Sequence, residues 1–385
     1  MTIYRGYQFR IYLTIEQRIQ INKNIGSALW IYNYFLKRKE EYYNETRKNL
    51  SLKEMKHELV LLKETNQWLK EVDSMALTNS LEDLDTAYTN YFEKRAEKPK
   101  FKIKGIHNTY KTDCIRGKYK ENEYANIILD LDNKKIKLPK VGIVDIRGYR
   151  NLNKELNIKN ATISRVGKKY YVSLCVEEEI ELPERKILHA VGLDRGVSSL
   201  VITSDGIKYQ KLVIARIEKH IKVYQERLAR CEKKSKNRQK LKNKIARLYQ
   251  KIRNMRKFYI HEITNEIIKN NDLIVCETLQ TKKMIEESES KSLTKGIVNA
   301  SFREIERQLA YKIKWNNKVL IKINPFYPSS KLCCHCGTRN EINDLSIRSF
   351  ECIHCHYEND RDINASINIL WEGIRMAITE GLINV

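Results

Sequence analysis

The spacing of hydrophobic residues changes within the first part of the chain. Residues 1–12 alternate in the manner of a β-strand. From Thr14 onward apolar residues recur at intervals of three and four, and Thr14 with Gln17 has the form of a helix-capping box. This pattern predicts a bundle of three or four helices over residues 13–95, with most of its aromatic side chains in the core.

Short strand patterns replace the helical ones after residue 95. They continue to about residue 181 and are separated by turn residues. We predict a small β-barrel or sandwich-like unit over residues 96–181, with residues 1–12 as an additional strand. The helical bundle is then expected to be inserted in this β-unit.

The second half of the chain mixes apolar strands with helices. Two strands end in the carboxylates Asp194 and Glu277, and a long basic helical hairpin is predicted over 213–259. A loop is expected at 288–296 and a helix at 302–316. The pattern predicts strands and helices on both sides of a cysteine-rich segment. We place the predicted boundaries at 182–330 and 357–385, with the cysteine-rich segment at 331–356.

Charge narrows the class of partner. The 385 residues include 72 Lys and Arg against 48 Asp and Glu, a net charge of +24. A positive field of this size attracts phosphate backbones, and nucleic acid is the commonest such partner. The N-terminus lacks the apolar core of a secretory signal, and no segment approaches the roughly 18 apolar residues of a membrane span. We expect a protein of the prokaryotic cytoplasm that binds nucleic acid and no membrane.

Cysteines indicate a structural metal. Five of the nine cysteines lie between residues 333 and 355. Two CxxC pairs separated by fifteen residues can close a tetrahedron around Zn²⁺. Because four protein ligands leave no open position, this zinc would be structural. The predicted ligands of the single zinc ion are Cys333, Cys336, Cys352 and Cys355.

Three carboxylates form a second candidate site. Asp194 and Glu277 end apolar strands, and Asp362 opens the last helix. Converging carboxylates repel one another, and divalent cations relieve that repulsion, so two Mg²⁺ ions held here could hydrolyse a phosphodiester. Taken singly, each carboxylate has an ordinary alternative role in a turn or a helix cap. Asp360 competes for the third position but could not face the same way as Asp362 on a helix.

The sequence KPKFKIK predicts a surface for nucleic acid. In an extended chain its lysines share one face, while Phe101 and Ile103 share the other and would pack inward. The alternative is a solvated strand edge protected by lysines. The basic tip of the predicted hairpin is a second candidate. The candidate residues are Lys98, Lys100, Lys102, Lys104, Lys233, Lys234, Lys236 and Arg238.

Several motifs together resemble one family. GLDRGVSSL, IVCETL, YPSSKLCCHCG and CIHCHYENDRDINASINIL are similar to the TnpB family of transposon-encoded, RNA-guided DNA endonucleases related to type V CRISPR effectors. N-terminal segments such as YQFRIYLTIEQ and KPKFKIKG extend the resemblance over nearly the whole chain. The resemblance implies a helical recognition domain inserted in an oligonucleotide-wedging β-barrel. It also implies a RuvC-like nuclease of RNase H fold interrupted by a zinc ribbon.

Function follows from the same resemblance as an expectation. It implies a guide RNA from the transposon end, recognition of a short transposon-adjacent motif and cleavage of double-stranded DNA with a displaced strand, by one chain on one RNA. It assigns Asp194, Glu277 and Asp362 as the catalytic carboxylates. By resemblance, recognition of the adjacent motif is placed at Ser74, Thr78, Asn79 and Thr112.

Two other functions are compatible with parts of the sequence. Some members of such families have lost nuclease residues and act as guided, non-cleaving repressors or regulators of transposition. The presence of all three carboxylates here argues against that role. A transposase that joins DNA ends would use similar carboxylates, and the family resemblance rather than the chemistry argues against it.

Overall fold

A computed structural model describes residues 1–119, 122–147, 152, 156–288, 290–341 and 348–383. One of the short strand patterns predicted after residue 95, VDIRGYR at 144–150, has its last three residues outside the described residues, and residues 342–347 of the cysteine-rich segment also lie outside them. The chain divides into two compact units, 1–180 and 181–385. No helix within the described residues combines the length and apolar character needed to span a bilayer.

The first unit contains a seven-stranded antiparallel sheet. Its strands follow the order β2-β8-β9-β1-β7-β6-β5, and β3 pairs with β4 in a separate hairpin. The N-terminal strand pairs with β9 along ten residues and then with β7, which confirms its predicted place in the β-unit. The strands are β1 (Thr2–Tyr12), β2 (Thr109–Asp113), β3 (Arg116–Tyr119), β4 (Asn122–Ala125), β5 (Ile128–Asp130), β6 (Lys135–Leu138), β7 (Gly142–Ile146), β8 (Asn157–Val166) and β9 (Lys169–Glu179).

Three helices and a 3-10 turn lie between β1 and β2. Thr14 caps the first helix in the predicted capping box with Gln17, and Ser51 with Glu54 forms a second such box. The helices have a core of their own, so the bundle is an insertion with a separate hydrophobic centre. The elements are α1 (Ile15–Thr46), α2 (Leu52–Thr65), the turn Gln67–Lys70 and α3 (Ser74–Phe92).

The lysine-rich segment after α3 differs from the expected strand. It lies wholly within the described residues and forms no strand, and Phe101 and Ile103 are 53% and 58% exposed. Lys102 packs inward instead, with its Nζ 3.8 Å from the centre of the Tyr32 ring and 3.6 Å from Asp83. Lys102 therefore turns inward, because α1 and α3 offer it an aromatic face and a carboxylate, while the expected apolar face stays exposed and Lys98, Lys100 and Lys104 point to solvent as expected.

The second unit is built on a five-stranded sheet. Its order is β12-β11-β10-β13-β14, with β10, β13 and β14 parallel and β11 and β12 antiparallel. A short hairpin, β15 with β16, follows the first cysteine pair and leads into the last helix. The strands are β10 (Ala190–Asp194), β11 (Ser199–Thr203), β12 (Lys208–Gln210), β13 (Leu273–Glu277), β14 (Val319–Ile323), β15 (Ser349–Glu351) and β16 (Glu358–Asp360).

Helices cover both faces of this sheet. Helices α5, α7 and α8 contribute to the core on one face, and the final helix packs on the other. The loop expected at 288–296 is instead largely helical, because Ser290 caps α7 and Ile297 and Ala300 are buried in the core. The helices are α4 (Ala215–Ala229), α5 (Lys236–Asn270), α6 (Thr281–Glu286), α7 (Lys291–Ala300), α8 (Phe302–Trp315) and α9 (Arg361–Thr379).

Candidate active site and metal centre

Strand alternation places two carboxylates side by side. β10 and β13 are parallel, and Leu193 lies opposite Cys276, so Asp194 and Glu277 end adjacent strands. Leu193 and Cys276 are buried in the core beneath α5 and α8, whereas Val275 is buried against α9. Because successive residues of a strand point to opposite faces, Asp194 and Glu277 belong to the face covered by α9.

The last helix approaches this face closely because two positions are glycine. A Cβ on Gly192 would collide with the backbone of α9 at Ser366, and one on Gly373 would collide with the side chain of Val275. Only residues without a side chain permit this approach. It sets the first turn of the helix, with Asp362, next to the end of β10.

Burial and neighbouring charge raise the pKa of Asp194 to about 7. Desolvation contributes most, and the charges of Glu277 and Asp362 follow. A buried carboxylate whose pKa is raised further by two neighbouring carboxylates is the electrostatic condition that a divalent cation relieves. The donor set therefore fits Mg²⁺, which prefers carboxylate oxygens.

Asp360 has a different role from Asp362. It caps α9 by accepting hydrogen bonds from the backbone N–H groups of Asp362 and Ile363 at 3.1 and 3.2 Å, and it pairs with Lys208 at 2.5 Å. The side chain of Asp362 lies 3.4 Å from Arg348. Asp360 is thus engaged as a helix cap, and Asp362 stays the predicted third carboxylate.

Polar side chains that sequence analysis did not single out hold these carboxylates. The Ser329 hydroxyl donates to Glu277 Oε1 at 2.5 Å, and Asn368 donates to the Ser329 carbonyl at 2.8 Å. Asn364 and Asn368 are both buried and are four residues apart on α9. The signal available in the sequence was two asparagines at helical spacing on an otherwise apolar helix, since amides that become buried there need hydrogen-bond partners.

The four cysteines form a compact cluster. Their sulfur atoms all lie within 4.8 Å of one another, with Cys333 to Cys355 at 3.7 Å and Cys336 to Cys352 at 3.5 Å. Tetrahedral zinc–sulfur bonds of about 2.3 Å would place the sulfurs about 3.8 Å apart. The cluster therefore fits zinc. Within the described residues, these four cysteines are the one group of three or more His, Cys, Asp or Glu side chains whose ligand atoms are already placed to share a metal ion.

Hydrogen bonds stabilise the thiolate form of two of the four cysteines, Cys336 and Cys352. The Thr338 hydroxyl lies 3.3 Å from Cys336 Sγ, and hydrogen bonding to Thr338 lowers the pKa of that thiol to about 5. The backbone N–H of His354 donates to Cys352 Sγ at 3.4 Å. Deprotonated thiols are the form that binds zinc, so these two thiols are already shifted toward it, whereas the pKa values of Cys333 and Cys355 are raised and their protons must be released when the metal binds.

The cysteine cluster and α9 are directly connected. The backbone N–H of Cys334 donates to Asn364 Oδ1 at 2.9 Å, and Asn364 Nδ2 donates to the carbonyl of Leu332 at 2.7 Å. The motif DINASIN thus places a carboxylate, an anchor for the first knuckle and a further anchor for the Ser329 segment on one helix. The spacing of polar residues in this motif therefore serves to attach the cysteine cluster to α9 as well as to place the carboxylate.

The residues predicted to contact nucleic acid differ in whether their side chains already pair with other groups of the chain. Lys98 pairs with Glu40 and Lys100 with Glu97, both at 2.7 Å, and Lys104 is exposed. Lys233, Lys234 and Lys236 are exposed at the turn between α4 and α5. Arg238 instead folds back and donates to the carbonyls of Leu228 and Cys231, which closes that turn.

Two of the four residues expected to recognise an adjacent motif are buried. Thr112 and Asn79 are 0% and 2% exposed, and Asn79 donates to Asp113 at 3.1 Å. Neither can reach a base edge in this conformation, so this part of the expectation is corrected. Ser74 is exposed and Thr78 is half-buried, and both stay predictions.

Comparison with known proteins places the chain in a family. Models described as "Probable transposase", "Cas12f1-like, TNB domain" and "Helix-turn-helix domain" match residues 173–288, 302–369 and 1–48. A protein of Escherichia coli K12 named "Putative RNA-guided DNA endonuclease InsQ" is 32% identical, covering 96% of this chain and 92% of the relative. The chain belongs to the TnpB family.

Other relatives agree with the TnpB assignment. A "Putative RNA-guided DNA endonuclease" of Streptomyces pristinaespiralis is 30% identical over 96% of this chain and 89% of its own length. The protein in a solved structure of a Cas12f1-sgRNA-target DNA complex has a TM-score of 0.56 at 13% identity, covering 96% of this chain and 98% of that one. At that identity the likeness shows the fold alone. The α+β fold of this TnpB-family chain therefore resembles that of a type V effector.

Proposed function

We propose that this chain is an RNA-guided endonuclease that cuts double-stranded DNA beside a short transposon-adjacent motif. The observation that carries the proposal is the convergence of Asp194, Glu277 and Asp362 at one end of the five-stranded sheet, with the pKa of Asp194 raised by burial and by the other two. The names of the E. coli and Streptomyces relatives support it.

The nuclease unit is proposed to have a RuvC-like RNase H fold. The sheet order β12-β11-β10-β13-β14, with a parallel core and two antiparallel strands on one side, supports this assignment. In the first unit, closure of the seven-stranded sheet into a wedging barrel is proposed as well. The antiparallel order and the helical insertion between β1 and β2 are consistent with it.

The catalytic residues have separable tasks. Asp194, Glu277 and Asp362 would hold two Mg²⁺ ions, which supply an activated water and stabilise the leaving 3′ oxygen. Ser329 fixes one oxygen of Glu277 by its hydrogen bond. Arg348 lies 3.4 Å from Asp362 and offsets its charge. The four cysteines would hold one zinc ion and, through Asn364, tether the first knuckle to α9.

Guide RNA and the RNA–DNA heteroduplex are proposed to bind by backbone contacts. The exposed lysines of the α4–α5 turn, together with Lys98, Lys100 and Lys104, are the candidate contacts, and the net charge of +24 supports them. Contact by Lys102 and Arg238 is not part of this proposal, because both side chains are engaged within the chain. Sequencing the RNA that copurifies with the protein would identify the guide.

Conservative substitutions test the nuclease. Asp194→Asn, Glu277→Gln and Asp362→Asn should each abolish DNA cleavage while guided DNA binding stays within about threefold, since the basic surfaces are untouched. Asp360→Asn is the matched control on the same helix, because asparagine also caps helices well, and it should retain cleavage.

Three outcomes would contradict parts of this proposal. Cleavage by Asp362→Asn together with its loss in Asp360→Asn would show that the third carboxylate is misassigned. Wild-type activity in all three carboxylate variants would exclude this nuclease site. Guided binding without cleavage by the wild type would favour the non-cleaving repressor.

A further inference from the structure

Arg195 is a buried cation directly behind the carboxylates. It follows Asp194 at the end of β10, and its side chain is 1% exposed. Since Asp194 belongs to the face covered by α9, the alternation of the chain sends the next side chain toward the opposite face and α8. A guanidinium taken out of water at this position needs specific partners to offset its desolvation.

The contacts of Arg195 are unequal. Its Nη2 donates a hydrogen bond to the backbone carbonyl of Glu277. Its Nη1 lies 3.7 Å from Glu306 Oε2, beyond hydrogen-bond length, and neither Nη1 nor Nε has a hydrogen-bond partner within the described chain. Glu306 is also paired with Lys322. The hydrogen bond of this guanidinium therefore goes to the residue that supplies the second carboxylate.

We propose that Arg195 is a positioning residue: it fixes the backbone of Glu277 from behind the sheet and so sets the distance between the Glu277 and Asp194 carboxylates for divalent-cation binding. This inference rests on the proposed function of the carboxylate site. The bond joins the ends of adjacent strands, where the ladder between β10 and β13 has already ended at Leu193 and Cys276. Glu277 also has a ladder pair with Ile323 of β14, so what the Arg195 bond adds is its attachment to β10, where no ladder pair reaches it.

The sign of the effect separates positioning from simple electrostatics. A positive charge close to a cation site repels the cation, so removing the charge alone would tighten divalent binding. Loss of a positioning contact acts in the other direction, because residues that orient metal ligands typically change metal affinity by about 10–100-fold. Arg195→Met is a suitable variant for this comparison, because methionine is of similar bulk and Glu306 keeps Lys322 as its partner.

The test is Mn²⁺ binding to the purified protein–guide complex, measured by electron paramagnetic resonance of free Mn²⁺. Arg195→Met should bind Mn²⁺ about tenfold more weakly than the wild type or worse. Arg195→Lys keeps the charge but not the planar fork, and should be weaker by about threefold. Lys322→Met is the matched control, since it removes the other partner of Glu306 without touching Glu277, and should bind as the wild type does.

Each outcome decides the proposal. Tighter or unchanged binding in Arg195→Met would overturn it, and so would an equal loss in Lys322→Met, which would assign the effect to Glu306. If Arg195→Met fails to fold, Arg195→Lys decides instead, and wild-type affinity in that variant would overturn the proposal. Loss of Mn²⁺ binding in Asp194→Asn alone would leave the proposed function standing without a role for Arg195. Equal binding by wild type and Asp194→Asn would overturn both.

Discussion

The two candidate cation sites of the second unit are assembled in opposite ways. The cysteine ligands come from two short knuckles, and their sulfurs already lie within 4.8 Å of one another. The carboxylates come from two parallel strands and a helix that are far apart in the sequence. Local turns determine the first site, whereas the packing of the whole unit determines the second.

The two sites also differ in which protonation state of their ligands the protein favours before a metal ion binds. The thiol of Cys336 is shifted toward its charged form by hydrogen bonding to Thr338. Asp194 is shifted toward its neutral form, first by burial and then by the other carboxylates. A metal ion should therefore add local folding energy at the cysteines and relieve stored repulsion at the carboxylates.

Removing a cysteine should give the largest effect. Cys352→Ser leaves three ligands, and we expect zinc to fall from about one ion per chain to nearly none, because structural zinc binding is coupled to local folding. Elemental analysis measures this directly. Cys231→Ser, outside the cluster, is the control and should retain zinc. A wild-type protein without zinc would contradict the assignment.

Neutralising Asp194 should stabilise the protein in the absence of divalent cations. Its pKa is raised to about 7, so the native state retains a proton that the unfolded chain releases near its ordinary value of 3.8. The native protein therefore loses stability as the pH rises through this interval, by up to about 1.4 kcal/mol per pH unit. Asp194→Asn should escape this loss.

Denaturation without added divalent cation, followed from pH 5.5 to 8.5, checks the sign. The stability advantage of Asp194→Asn should widen up to about pH 7 and then level off, and Mg²⁺ should raise the melting temperature of the wild type alone. Both proteins retain the cysteines, so loss of zinc at the acid end cancels in the difference. An advantage independent of pH would show that Asp194 is ionised in the native state.

A packing variant should damage the carboxylate site and spare the cysteine site. Gly192→Ala adds a methyl group against the backbone of α9 and should cost about 1–3 kcal/mol of unfolding free energy while weakening Mn²⁺ binding. Zinc content should not change. Gly26→Ala is the control, since a Cβ there meets no atom within 4 Å and alanine favours the interior of α1. Equal stability of the two variants would contradict the close approach of α9.

The contrast between local turns and the packing of the whole unit also separates the features that could be predicted from the sequence from those that could not. The Thr14 capping box, the strand ending at Glu277 and the four-cysteine cluster were all predicted from spacing over a few residues, and the structure has them. Helix α7 was missed because its buried residues, Ile297 and Ala300, come only after the polar stretch at 288–296.

The carboxylates occupy an intermediate position. Their identity could be proposed from strand ends and from the family resemblance, but their convergence depends on a parallel register and on the glycine at 192. Ser329 and Arg348 could not be identified from sequence, since they contact the carboxylates across loops and hairpins without a periodic pattern. Tertiary contacts also turned Lys102 of the lysine-rich segment inward, against the expected alternation.

The lysine-rich segment provides the last test, for which we expect the smallest effects. In this segment the local sequence pattern and the tertiary packing lead to opposite predictions. Lys100 is exposed and paired only with its near neighbour Glu97, so Lys100→Ala should change stability by less than about 0.5 kcal/mol. Lys102 lies over Tyr32 beside Asp83, so Lys102→Ala should lower the melting temperature by an amount corresponding to about 1–2 kcal/mol.

A salt titration of guide-RNA binding tests the same two variants for phosphate contact. Lys100→Ala should reduce the log–log slope by about one unit if it meets a phosphate, whereas Lys102→Ala should leave the slope unchanged. A reduced slope in Lys102→Ala with unchanged stability would mean that the extended, outward-facing arrangement forms when RNA binds.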